Sequence, residues 1–477
     1  MKKSIGAVTM ISLCFNICNS WAGLSASSQI ALIQGGPATL LYGMMITASA
    51  YMAIALSMGE LASVYPTAGG QYHFVSILAP KRFNRGLSYT CGILANLSWI
   101  AIGAAIIVIP SQQIPAIVTY YHPEFVLQKW HAFLIYESFG FIVVLYNVLA
   151  LKKLPRTHDI GFATTIIMFI ISTLGLFIRS SPKASHTFVW TTFSNSTGWP
   201  DGVCFLTALL TTSFIFAGLD AALHMAEEAP NPRTSVPLAG VSAIGIGFIT
   251  AFTFGIAILY SISDFDEVLA IEGYLPFEIN RVGLRSDAGA VGLLIAGVIM
   301  TFFVLNAVIQ TASRITWALA RDNALVFSGL FRQIHPTLEV PVSSILVVWG
   351  VLAACGLLIL ASDTAFNALV SSCVTLQLLS FIMPTALVLY QRRSTTYLPR
   401  NRAFGLPNWA GWIINVWAVC MPSILCIFFL FPAFVPVTAE SMNYNVVILG
   451  IAAFFGTVNW FCYARKHYQG PRIVFHD

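Results

Sequence analysis

The stretch "SFIFAGLDAALHMAEEAPNPRTSVPLA" runs from Ser213 to Ala239. It opens as part of an apolar run long enough to cross a bilayer. Gly218 and Asp220 interrupt that run, and Glu227, Glu228, two prolines and Arg233 follow within a few residues. Non-helical backbone is tolerated at membrane depth only where it faces protein or a watery cavity. A glycine and a carboxylate near mid-depth therefore point to a broken helix beside a cavity.

Composition supports the membrane premise. The chain has 477 residues, of which 57% are hydrophobic and 9% charged, against about 25% charged in soluble domains. Roughly 20 apolar residues cross the hydrocarbon core. Twelve stretches qualify: 6–33, 38–58, 87–111, 131–150, 159–178, 203–225, 238–260, 289–312, 340–360, 366–390, 409–431 and 445–463. With a cytoplasmic N-terminus, 19 of the 24 Lys and Arg fall in inner segments, among them Lys2, Lys3, Lys152, Lys153 and Arg472. That asymmetry follows the positive-inside rule and supports both the count and the orientation. The basic loops are then topology signals, and no nucleic-acid partner is inferred. The start "MKKSIGAVTMISLCFNICNSWAG" has signal-peptide features, but its apolar run continues past any cleavage site, so it reads as the first span. The tails, 1–5 and 464–477, read as short and cytoplasmic.

Several classes are excluded. All nine cysteines lie in or at the ends of apolar spans with no C-x-x-C pair, so neither a disulfide framework nor a metal site is suggested. The nine histidines are scattered, and G-x-x-x-x-G-K-[ST] is absent. A membrane enzyme and a primary pump with its own nucleotide site both lack their signatures. No cofactor is expected. Asn195 heads an N-S-T glycosylation sequon on a predicted outer loop. Another outer stretch, "SDFDEVLAIEG", is acidic, and residues 313–339 read as an amphipathic helix lying on the inner membrane surface.

A second interruption lies in the first span, "NICNSWAGLSAS", residues 16–27. Gly23 and Gly218 are 195 residues apart, each in the opening helix of a five-span block. Interrupted spans at matching places in two halves point to an inverted-repeat transporter with its site at the midplane. A broken helix offers free N–H groups at one half and free C=O groups at the other. The first attract a carboxylate and the second an ammonium.

"GGPATLLYG" after the first span, "GELASVYPTAGGQYHF" at the end of the second, the opening stretch in the sixth and "RDNALVFSGLF" after the eighth together resemble the amino acid–polyamine–organocation permeases. The resemblance is closest to their fungal choline, GABA and amine branch. It implies an all-α membrane protein of about twelve helices, with a LeuT-like five-plus-five inverted repeat and discontinuous helices one and six. The permease domain is 6–463, with repeat one at 6–178, repeat two at 203–390 and two further helices at 409–463. In the family the substrate contacts come from the breaks. The matching positions here are Ser20, Trp21, Ala22 and Gly23, then Phe216, Ala217, Gly218, Leu219 and Asp220. Trp21-Ala22-Gly23 stands where relatives carry a Gly-rich triplet, which leaves less room for backbone approach.

Each candidate has two readings. Asp220 is a counter-ion to a substrate ammonium, a titrating proton carrier, or a helix-packing acid. Phe214 and Phe216 cover the substrate or simply pack, and Trp21 offers a cation a π face. Asn16 and Asn19 line the cavity or bond across helices. Glu60, Glu227 and Glu228 pair with inner arginines to hold a gate shut, or are solvated helix ends. His224, one turn after Asp220, relays a proton or is structural, and Glu137 reads as a partnered structural acid. The fifth span lacks the Lys of some proton-coupled relatives. Thr301 matches a hydroxyl of sodium-coupled ones. The resemblance implies proton symport, with sodium the alternative. The expected partners are a lipid bilayer and a small-molecule amine or amino acid substrate, and no oligomeric state is implied. The expected membrane is the plasma membrane, with the vacuolar membrane the alternative. The expected function is secondary active transport of a small amine-bearing solute; the competing readings are a transporter-like nutrient sensor and a non-coupled exchanger.

Overall fold

A computed structural model describes residues 5–150, 154–265, 273–439 and 442–471. Lys2, Lys3, Lys152, Lys153, Arg472 and most of the acidic "SDFDEVLAIEG" stretch lie outside the described residues.

Among the described residues the architecture is all-α. Eleven helices are long and apolar enough to cross a membrane. The sixth span is the twelfth crossing, split into Asp201–Phe214 and Ala221–His224. Two spans run furthest past their expected ends. The third extends over Asn84–Tyr121 with Pro110 and Pro115 inside it, because membrane helices tolerate proline. The eighth extends over Asp287–Arg321. Its last turns bury Ile315, Ala318 and Leu319 in the core. The expected surface helix over 313–339 is therefore replaced by the end of this span and a short helix, Ser328–Phe331.

The two breaks differ in kind. In the sixth span, residues 215–220 form consecutive turns, and Gly218 has φ +91°. A Cβ there would stand 2.3 Å from Ile17 Cγ2, so only glycine fits. The first span, Ala7–Cys18 and Ser20–Ile33, is interrupted at the single residue Asn19, with φ 31° and ψ 50°. Gly23 is an ordinary helical residue four positions later, its N–H bonded to Asn19 O at 2.9 Å. The break sits at Asn19 because asparagine tolerates the left-handed region, which dispenses with a glycine.

The seventh span (Pro232–Ser261) packs on the first and the second (Gly36–Val64). The third packs on the eighth and on the tenth (Asp363–Tyr390). After Gly70, whose φ is +53°, a short helix, Gln71–Leu78, turns back into the protein. Described residues near each end of the chain meet at one face. Ile5 N–H donates to Glu228 O at 3.1 Å, and Arg85 donates to the carbonyls of Arg465 and Tyr468. On the opposite face Arg179 donates to Leu284 O, beside the short helix Leu275–Leu284. These are called the terminal and distal faces below.

Candidate functional site

A cavity of about 70 Å³ lies where the broken spans meet, on their distal side. About 10–15 Å³ by this measure holds one water, so the space suits several waters or a small solute. The first span lines it with Asn19, Trp21, Ala22 and Gly23, and the sixth with Phe214, Ile215 and Ala217. Ser25 of the first span, Ser172 of the fifth, Gln113 of the third, Thr301 of the eighth, and Tyr274 and Asn280 at the short distal helix complete the polar lining. The second half of the first span starts here, so the N–H groups of Ser20, Trp21 and Ala22 form its N-terminal turn.

The cavity is polar without being charged. Among the described residues no lining residue is Asp, Glu, Lys or Arg. Asn19 Oδ1, Gln113 Oε1, Asn280 Oδ1 and Trp21 Nε1 are buried and have no hydrogen-bond partner among the described residues. Buried polar atoms are normally satisfied, so four orphans around one hollow suit a polar guest. Three are oxygens and prefer a donor. Aromatic faces supply the rest. Trp21 meets Phe254 edge-on with ring centroids 5.1 Å apart, and Phe214 stands in the same wall. Burial pushes the Tyr274 phenol up to about 12, so it stays a neutral hydroxyl at physiological pH.

Five expected contacts lie behind this wall. Asn16 Nδ2 donates to His158 O at 2.7 Å, a bond across helices. Ser20 Oγ donates to Ile215 O at 2.7 Å. The Phe216 ring packs on Tyr51, centroids 5.9 Å apart. Gly218 N–H donates to Gln377 Oε1 at 3.2 Å. Asp220 is 1% exposed and saturated by protein groups. Its Oδ2 meets Gln71 Nε2 at 2.5 Å, Trp99 Nε1 at 3.1 Å and His224 Nε2 at 3.1 Å. Its Oδ1 accepts from Gln377 Nε2 at 3.1 Å. The carboxylate thus ties the third, sixth and tenth spans to the Gln71–Leu78 helix.

Below Asp220 ion pairs cross the terminal face. Glu228 Oε1 meets Arg314 Nε at 2.9 Å, both side chains buried. Glu227 takes Arg321 Nη1 at 3.0 Å and accepts from Ala68 N–H at 3.1 Å. Tyr72 donates its hydroxyl to Asp322 Oδ2 at 2.8 Å alongside. Glu60 does not join this group. It pairs with Arg393 at 2.8 Å and Arg402 at 2.5 Å, and accepts from Leu406 N–H, clasping the second span to the loop after the tenth.

Residues 5–454 match the family model described as "Amino acid permease". The chain belongs to this family. The permease is a membrane transporter and not an enzyme. It is 32% identical to a choline transporter of Saccharomyces cerevisiae, over 95% of this chain and 80% of the relative. It is 30% identical to a putative amino acid/polyamine transporter of Macrophomina phaseolina, over 91% and 96%. It is 29% identical to a swainsonine transporter of Arthroderma benhamiae, over 99% and 93%.

Sequence reasoning did not single out Gln71, Trp99, Gln113, Asn280 or Gln377 of the permease. The available signal was a polar atom inside or beside an apolar run, which is expensive unless paired. Two remaining candidates lie away from the cavity. Glu137 packs against Gly356 of the ninth span, Val342–Ala361. The Asn195 amide donates to Trp199 O at 2.7 Å and Asp201 Oδ1 at 2.9 Å, so a glycan on Nδ2 would remove one of these two N–H donors.

Proposed function

We propose that the permease moves a small amine-bearing solute across its membrane by alternating access, with a proton as co-substrate. In this reading the halves 6–178 and 203–390 form an inverted repeat and rock against each other around the cavity, flanked by the two helices of 409–463. The observation that carries it is a cavity bounded by both breaks and lying above a face crossed by buried ion pairs. Asn19, Trp21, Ala22, Gly23 and Phe214 contact the solute. Glu227 and Glu228 hold the gate. The terminal face is cytoplasmic, since Lys81, Arg82, Arg85, Arg392, Arg393, Arg400 and Arg402 all sit in its loops. The membrane is the plasma membrane.

The lining chemistry narrows the solute class. With no ionised side chain among the described residues of the wall, a polyamine would bring several charges that they leave uncompensated. A single ammonium finds three amide oxygens, the carbonyls of the sixth-span break and the rings of Trp21, Phe214 and Phe254. An alkylated ammonium gains most from the rings. A carboxylate, where the solute has one, meets the N–H groups of Ser20, Trp21 and Ala22. Choline and zwitterions such as GABA or a neutral amino acid therefore fit best, and the choline transporter among the relatives supports this order.

Uptake of labelled choline, GABA, alanine and putrescine in transporter-deficient cells tests the reading. Saturable uptake of choline or a zwitterion is expected, with KM raised at least tenfold by Trp21→Ala or Phe214→Ala. No uptake of any of the four, or both variants behaving as wild type, would sink it.

A further inference from the structure

His224 and Asp220 form a buried pair whose bonds fix how many protons it holds. His224 Nδ1 lies 2.9 Å from Ala68 O. A carbonyl oxygen only accepts, so Nδ1 carries a hydrogen. His224 Nε2 lies 3.1 Å from Asp220 Oδ2. A hydrogen must lie between these two atoms as well, since otherwise a lone pair would face a carboxylate oxygen.

The other neighbours of the carboxyl group are donors. An indole N–H can only donate, which settles Trp99. Gln377 is oriented by its Oε1, which takes the Gly218 N–H, so its amide nitrogen points at Asp220 Oδ1. Gln71 presents its amide nitrogen too. A proton on the carboxyl group therefore has one acceptor, His224 Nε2. Whichever atom holds it, the pair contains one shared proton and has no net charge.

No Lys or Arg bonds to either residue among the described residues. The other titratable groups around them are Cys14 and Cys18 of the first span, Tyr51 of the second and Cys91 of the third. His73 and Glu227 flank the Ala68 turn. His73 Nδ1 is bonded to Thr67 Oγ1 at 2.6 Å, and Glu227 to Ala68 N–H and Arg321.

We propose that the Asp220–His224 pair is the proton-binding site of the transport cycle, and that its proton latches the Pro66–Gly70 turn to the sixth span. This deepens the transport reading above and rests on it. Three bonds hold the turn: His224 to Ala68 O, Ala68 N–H to Glu227, and Gln71 to Asp220. Loss of the proton leaves a buried uncompensated anion, which is strongly unfavourable unless water reaches it. It also sets the Nε2 lone pair against Asp220, turning the ring and breaking the bond to Ala68. Release of the proton is thereby linked to opening of the terminal face. Gln377 carries the same event to the cavity, because it bridges Asp220 and the Gly218 N–H at the break. No covalent bond changes. One proton binds with the solute and leaves with it.

The test uses the full chain in proteoliposomes holding a luminal pH dye, with labelled choline, GABA, alanine and putrescine as probes. Counterflow without gradients comes first, then accumulation under an imposed pH gradient. Wild type is expected to acidify the lumen as solute enters. His224→Gln is expected to lose at least tenfold in gradient-driven accumulation relative to its own counterflow rate. Trp99→Phe removes one donor to the carboxylate and leaves His224 in place. The pair then holds its proton more tightly, and the pH midpoint of accumulation rises by about half a unit or more; a merely structural role leaves that midpoint alone. Net solute uptake without acidification of the lumen, or a sodium gradient driving accumulation in place of the pH gradient, overturns the proton site alone. An unmoved midpoint in Trp99→Phe, or undiminished accumulation in His224→Gln, does the same. Absence of counterflow for every probe in wild type overturns the transport reading beneath it.

Discussion

Ser20 Oγ reaches across 195 residues of chain to the Ile215 carbonyl oxygen, 2.7 Å away. With the Cys18 thiol, whose Sγ lies 3.8 Å from Phe216 O, it ties the two broken helices directly. The Ile215 carbonyl belongs to the first residue of the sixth-span break and has no helical partner of its own. Ser20 in turn opens the second half of the first span. The bond therefore fixes the spacing of the two walls that define the cavity.

Ser20→Ala removes that donor and leaves a buried carbonyl unpaired. The expected loss is about 1–3 kcal/mol of stability, read as a lower thermal midpoint in detergent, whereas Ser20→Thr keeps the hydroxyl and most of the loss is avoided. Equal melting of Ser20→Ala and wild type would show that the tie contributes nothing.

The two glycines that mark the breaks in sequence have opposite sensitivities. At Gly218, alanine meets both a positive φ and the Ile17 side chain at 2.3 Å. Backbone there must shift, and Gly218→Ala is expected to abolish uptake and lower the yield of folded protein. At Gly23 a Cβ meets Ile215 at 3.5 Å, ordinary contact distance. Gly23→Ala should fold normally while narrowing the cavity, raising KM for the largest accepted solute first. Normal uptake by Gly218→Ala would contradict the strained turn.

The spans were legible because crossing a bilayer requires a long apolar run, and a chain cannot hide one. Gly218 was legible for a related reason: an acid at mid-depth is costly without partners, and a glycine just before it lets the backbone turn to supply them. The first break lies four residues ahead of Gly23, the glycine that signals it in sequence, because Asn19 performs the left-handed turn. The Asp220 shell was not legible. Its donors come from Gln71, Trp99 and Gln377, at separations of 149, 121 and 157 residues, and nothing local in those segments announces a shared carboxylate. Glu60 shows the same limit. Its place at the end of the second span suggested the gate, while its partners lie 333 and 342 residues away on another wall.

That placement gives Glu60 a different expected phenotype from the gate acids. Glu60→Gln strands two buried guanidinium groups, and breaking one side of a buried pair typically removes about 3–5 kcal/mol. The variant should melt lower and reach the membrane in smaller amount. The molecules that do fold should keep the wild-type KM, because Glu60 is not a lining residue of the cavity. A KM change without a stability change would return Glu60 to the gate.

Glu228 and Arg314 are expected to behave as a switch element rather than a simple strut. Their bond at 2.9 Å joins the end of the sixth span to the eighth, under Asp220 in the terminal face. Glu228→Gln leaves Arg314 buried without a counter-charge, which favours any state that hydrates it, and the opened terminal face is such a state. The variant should therefore show faster labelling by a membrane-permeant thiol reagent at the buried Cys14 and Cys18, which lie near Asp220. Accumulation against a gradient should fall, since a gate that rests open leaks. The double variant Glu228→Gln with Arg314→Met removes both charges. It should restore much of the lost thermal stability, because paired apolar or neutral replacements are often near neutral in a buried site. It should not restore gating, because the closed state has lost its specific bond. Recovery of full accumulation in the double variant would mean that the pair only supports packing. Unchanged thiol labelling in Glu228→Gln would mean that it does not hold the terminal face shut.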